Sequence, residues 1–110
     1  MDGNCFFRSV SHQLLLFDSE EKHYDVRSLL VRFENLNKTS FSEYLMANNE
    51  PTFDAHIKKM LIPGTWPTQV EIYAASSFFQ VPLYSIWYTS STNYHWEVAK
   101  PIKKEKLRSP

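Results

Sequence analysis

Apolar residues recur at helical spacing through the first 80 residues of the chain and alternate at strand spacing after that. Phe6, Val10 and Leu14 stand four apart, with Phe7 and Leu15 widening the stripe, which predicts a helix over 5–16 with Asn4 as its N-cap. A short charged break, Asp18 to Lys22, follows. Val26, Leu29, Leu30 and Phe33 then show the i, i+3, i+4, i+7 pattern of a second amphipathic helix. Asn35 to Ser40 reads as a polar loop, and Phe41, Tyr44 and Leu45 as a short third helix. Phe53, Ile57, Met60 and Leu61 predict a fourth, which Pro63-Gly64 stops. Thr68 and Glu71 have the spacing of a capping box, opening a fifth helix to about Phe79 that buries Ile72, Ala75 and Phe79.

The period changes at Val81. Val81 to Tyr88 is rich in strand formers, Thr89 to Asn93 is a polar turn, and Tyr94 to Ala99 alternates as a second strand. Tyr94, Trp96 and Val98 fall on one face of that strand, read as the core side, and His95, Glu97 and Ala99 on the other. Lys103, Lys104, Lys106 and Arg108 outnumber Glu105 near the end, so 101–110 is read as a basic, flexible tail. The order predicts an α+β domain over 1–100, with helices packed on a small hairpin.

Composition narrows the function classes. The 110 residues suit one domain, and 12 basic against 12 acidic residues leave no net charge to steer the chain toward nucleic acid or an anionic membrane. Three Trp, six Tyr and eight Phe exclude a disordered segment. Two glycines exclude a glycine-rich phosphate loop, and a single cysteine excludes an internal disulfide or a multi-cysteine metal site. A lone thiol suits a reducing compartment, so the cytosol or nucleus is expected. No run approaches the ~20 apolar residues of a membrane helix, and Met1 to Asn4 lacks the pattern of a secretory signal.

Cys5 would occupy the first turn of a helix, where unpaired N–H groups and the macrodipole favour a thiolate. A cysteine packed as a small hydrophobe is the alternative. A cysteine nucleophile needs a histidine. His12 is seven residues further along the same helix, ~10 Å away along its axis. His23, beside Glu20-Glu21-Lys22, and His56, on a polar helix face, both read as surface residues. His95 shares a strand face with Glu97, whose carboxylate could accept the imidazole N–H and hold the ring. An ordinary two-faced strand with a polar outer side is the alternative.

Asp2-Gly3-Asn4-Cys5-Phe6-Phe7-Arg8-Ser9-Val10 resembles the D-G-N-C-[LF]-[FY]-R-[AS] segment around the nucleophile of the ovarian-tumour (OTU) cysteine proteases, which are deubiquitinases. Three further segments resemble that family in the same order: Gly64 to Ile72 its G-x-W-G-x-x-x-E-[IL] segment, Val81 to Ile86 its central strand, and Asn93 to Val98 its H-[YW]-x-x-[VL] strand. The resemblance runs from Asp2 to about Ala99 and implies a papain-like OTU fold. It implies Cys5 as nucleophile, His95 as general base and acid, and Asp2 as the active-site aspartate. Backbone N–H groups of Gly3, Asn4 and Cys5 would form the oxyanion hole. Glu97 falls where many members keep the Asn or Asp that orients the histidine. Trp66 belongs to a loop that flanks the site, with core packing as its alternative; Trp66 and Trp96 are the candidate substrate contacts. Pro67 replaces the family's usual Gly, and the chain begins at the nucleophile motif, where the family usually has a preceding strand or helix, so a domain shortened at its N-terminus is expected.

The implied activity is hydrolysis of isopeptide bonds to ubiquitin or polyubiquitin, with no metal and no cofactor. The alternatives are an OTU-like module that binds ubiquitin or another partner without turning it over, and a nucleic-acid-associated protein acting through the basic tail. The latter lacks a basic-aromatic platform.

Overall fold

A computed structural model describes residues 4–14, 22–45, 52–88 and 92–108. Among them the chain forms α1 (Cys5–Leu14), α2 (Lys22–Leu36), α3 (Lys38–Leu45), α4 (Phe53–Met60) and α5 (Gln69–Phe79), then an antiparallel hairpin of β1 (Leu83–Tyr88) and β2 (Tyr94–Ala99), and a 3-10 turn at Lys104–Lys106. This is the expected α+β order. No helix among the described residues is long and apolar enough to cross a membrane.

The periodic apolar residues build one core around α2. Phe7 and Val10 of α1, Val26, Leu30 and Val31 of α2, Met60 of α4 and Ala75 of α5 pack together. Each large side chain removed from water there contributes roughly 1.5–3 kcal/mol. A second cluster joins Phe33, Phe41, Leu45, Val70 and Ala74. Ile72 and Phe79 of α5 are only half-buried, whereas Val70, Glu71, Ala74, Ala75, Ser76 and Ser77 are buried. Small residues on two sides let α5 run between the other helices and the hairpin.

The loop expected over 35–40 shrinks to Asn37. Its side-chain amide donates to the Phe33 carbonyl at 2.9 Å, while its own carbonyl accepts from Ser40 and Phe41 at 3.0 and 3.2 Å. One residue thus closes α2 and starts α3. Residues 102–108, part of the segment read from the sequence as a basic tail, contact the body of the domain. Ile102 and Leu107 pack against the second cluster, Gln80 Nε2 donates to the Ile102 carbonyl at 2.8 Å, and Asn37 exchanges two hydrogen bonds with the Arg108 backbone at 2.9 and 2.8 Å. The charges stay exposed on the outer side of a segment held by its two apolar residues.

The hairpin is turned over relative to the expectation. Leu83 pairs with Ala99, Ser85 with Glu97 and Trp87 with His95, and directly opposed residues share a face. Tyr84, Tyr94 and Trp96 are 67, 61 and 60% exposed, whereas Ala99 is buried. Ser76 Oγ donates to the Ala99 carbonyl at 3.0 Å, and Leu83 packs against the first core cluster. These anchors turn the Leu83–Ala99 end inward, and the two-residue period carries Glu97 and His95 to the same side.

Candidate active site

Cys5 is the first residue of α1, so its backbone lies where helix N–H groups are unpartnered and the local field favours an anion. The Asn4 carbonyl accepts from Arg8 N–H at 3.0 Å, giving α1 its first turn. The Asn4 side chain also reaches across the fold. Its Oδ1 accepts from Gly64 N–H at 2.9 Å and from Arg27 Nη2 at 3.0 Å. Gly64 has φ +87, a conformation that favours glycine, and its turn presents that N–H to Asn4.

On the hairpin, His95 donates through Nε2–H to Glu97 Oε1 at 3.1 Å, with their side chains 53 and 42% exposed. In the neutral ring with that tautomer, Nδ1 carries the lone pair. At this exposure the pair adds less than about 1 kcal/mol to stability; its value is in fixing ring orientation and tautomer. The inward face of β2 looks toward the helices. Phe6, Ser9 and Val10 of α1, Ile72 of α5, and Leu83 and Ser85 of β1 help line a cleft of about 160 Å³ between them. Ile72 and Ser85 also line the neighbouring cleft, which Glu97 joins. Asp2, Gly3 and the Cys5 side chain lie outside the described residues, and with them the expected oxyanion loop and the approach of Cys5 to His95. Trp66 is 57% exposed, so core packing of that Trp is set aside. Trp96 is on the face opposite His95.

These features match a known family. Residues 1–108 match the family described as OTU-like cysteine protease. The chain belongs to the OTU family. Over 79 residues it is 33% identical to the OTU domain-containing protein 4 of Mus musculus, covering 72% of this chain and 7% of that protein. Over 94 residues it is 35% identical to the OVARIAN TUMOR DOMAIN-containing deubiquitinating enzyme 9 of Arabidopsis thaliana, covering 84% of this chain and 25% of that one. The chain thus spans a quarter or less of the length of these relatives. Among solved structures it is similar to the viral OTU domain protease from Dera Ghazi Khan virus, with a TM-score of 0.59 and 27% identity over 74% of this chain and 49% of that one. The OTU fold is therefore shared.

Sequence reasoning missed a buried polar centre among the helices. His56, expected at the surface, is wholly buried and donates through Nε2–H to Glu71 Oε2 at 2.7 Å. His23, also expected at the surface, is buried on α2. Glu71 Oε1 accepts from Thr68 N–H and Thr68 Oγ1–H, both at 2.7 Å, completing the capping box that the spacing predicts. Glu34 lies against Glu71. Burial, followed by the neighbouring Glu71 charge, holds the Glu34 carboxyl well above the usual carboxylate range, so it keeps its proton. Burial alone would raise Glu71 too. The adjacent Glu34 carboxyl and hydrogen bonds from His56 and Thr68 outweigh that and bring it below its ordinary value, making it the charged member of the pair.

Ligand atoms of Glu34, His56 and Glu71 lie within 4.8 Å of one another. Donors around a tetrahedral zinc stand roughly 3.3 Å apart, wider than the 2.7 Å between His56 and Glu71. That spacing describes a hydrogen bond. No sequence periodicity marks Glu34; Glu71 is legible only as a cap.

Proposed function

We propose that this OTU domain is a cysteine deubiquitinase that hydrolyses the isopeptide bond between the C-terminus of ubiquitin and a lysine amine. The observation that carries this reading is the His95–Glu97 pair on the helix-facing side of β2, in a chain whose single cysteine opens α1. His95 Nδ1 takes the thiol proton of Cys5, and the thiolate attacks the scissile carbonyl. Backbone N–H groups of Gly3, Asn4 and Cys5 hold the oxyanion, and Asp2 supports the site. The imidazolium then protonates the leaving amine, forming a thioester. Water, deprotonated by His95, hydrolyses it and restores the thiol.

Glu97 orients the ring through both half-reactions. Trp66, exposed on the loop next to Gly64 and Thr65, is the proposed ubiquitin contact; Trp96, on the far face, is the weaker of the two. Ubiquitin and polyubiquitin are the proposed partners, and the cytosol or nucleus, where a lone thiol stays reduced, the proposed location. The test is a ubiquitin probe with a C-terminal electrophile. An adduct on the wild-type chain that is lost in Cys5→Ala supports the reading. Absence of both adduct and ubiquitin-chain cleavage overturns it and favours a binding module.

A further inference from the structure

We propose that Arg27, acting through Asn4, is the positioning residue that sets the Cys5 end of α1 for catalysis, an inference that rests on the proposed cysteine-protease reading. Arg27 is only 2% exposed although it is a charged residue on an amphipathic helix. Among the described residues, its guanidinium donates to acceptors in two other parts of the fold. Nη1 donates to the Met60 carbonyl at 3.0 Å. Nη2 donates to the Thr65 carbonyl at 2.9 Å and to Asn4 Oδ1 at 3.0 Å. The same guanidinium lies 4.2 Å from the centre of the Phe7 ring, a cation–π distance.

Asn4 and Phe7 bracket Cys5 in the first turn of α1. Arg27 therefore grips the start of that helix by a polar contact on one side of the cysteine and an aromatic contact on the other. Asn4 Oδ1 accepts a second bond from Gly64 N–H, so the helix start is tied both to α2 and to the loop that carries Trp66. A planar, permanently charged fork is suited to hold several acceptors in fixed directions, which a lysine cannot do. Burying it is costly unless each partner is in place. The cost makes sense for a device that holds two chain segments in one geometry. Neither Arg27 nor the Asn4 side chain touches reacting atoms in this scheme. They act through the backbone of Cys5, by fixing where α1 begins.

Because Cys5 is the only cysteine, its reactivity can be read directly. The experiment compares wild type with Asn4→Ala, Asn4→Asp and Leu45→Ala, each at a temperature where it is folded. Leu45 lies in the second core cluster, away from α1, and controls for general loss of stability. Two quantities are read: kcat and KM on a ubiquitin substrate, and the pH midpoint of Cys5 alkylation by iodoacetamide.

Asn4→Ala is expected to lower kcat by roughly 10²-fold, the scale of a 1 Å misplacement, with KM nearly unchanged. Its alkylation midpoint is expected to move up toward that of a free thiol. Asn4→Asp keeps an acceptor for both donors and is expected to lose clearly less kcat than Asn4→Ala, because a charge-assisted bond to Arg27 replaces the neutral one. Leu45→Ala is expected to melt lower while changing neither kcat nor the midpoint. Equal kcat losses in Asn4→Ala and Leu45→Ala, or coincident alkylation midpoints for Asn4→Ala and wild type, overturn the positioning role. If wild type turns over no ubiquitin, the deubiquitinase reading fails, and the alkylation midpoints alone decide the clamp.

Discussion

Replacing Glu34 by Gln isolates the most unusual charge arrangement in the domain. Glu34 is wholly buried, sits against Glu71, and keeps its proton because burial and the Glu71 charge both disfavour ionisation. A carboxyl whose pKa is higher folded than unfolded contributes its full stability below the unfolded value. It loses that contribution as pH rises toward the folded value. Unfolded Glu titrates near about pH 4.3. From roughly pH 5 upward, until Glu34 itself ionises in the folded chain, the unfolded chain gives up a proton that the folded one must keep. Stability then falls by about 1.4 kcal/mol per pH unit through this one group.

Glu71 works in the opposite sense. Its lowered pKa contributes stability at neutral pH that is lost as pH falls through its folded value, so the two windows are separate. Gln at position 34 reproduces the shape and the donor of a protonated Glu but has no proton to lose. The expected result is a melting temperature close to wild type near pH 5 and a lead for Glu34→Gln that grows by roughly 6 °C per pH unit above it. Thermal melts in one buffer series from pH 5 to 8 measure this. A difference in melting temperature that stays constant across the series would refute the protonated Glu34.

In the proposed catalytic pair, Cys5→Ala is expected to abolish ubiquitin cleavage and His95→Ala nearly so, while Glu97→Gln lowers kcat by roughly ten- to a hundred-fold, about 1.4–2.7 kcal/mol of barrier; an unchanged Glu97→Gln beside a collapsed Asp2→Asn would transfer the orienting role to Asp2. Thr68→Ala removes the acceptor for Val70 N–H and a donor to Glu71, and is expected to cost about 1 kcal/mol in urea unfolding. Asn37→Ala deletes both hydrogen bonds to the Arg108 backbone and is expected to speed tryptic cleavage at Lys103–Arg108 several-fold before the body of the domain is cut. Equal cleavage rates would mean that Ile102 and Leu107 alone hold the segment.

Local pattern was enough for much of this protein. The i, i+3, i+4 apolar spacing located the five helices of the described residues, because each helix buries one stripe and the stripe is written at a 3.6-residue period. The Thr68–Glu71 cap and the Tyr94–Ala99 strand were legible for the same reason: their signals lie within a few residues. The segments around Cys5 and His95 also carried the family resemblance directly. Other features depend on residues far apart in the chain. Which face of β2 is buried was decided by the anchoring of Ala99 to Ser76, 23 residues away, and alternation alone cannot choose between two faces that both carry large side chains. His56 reads as a surface position because a polar residue on a helix is usually solvated, and nothing in the pattern singles out Glu34. They are buried because Glu71 meets them in space: His56 donates to its carboxylate and Glu34 lies against it. Arg27 is the sharpest case. Among the described residues its acceptors come from positions 4, 60 and 65, and only tertiary structure could gather them around one charge.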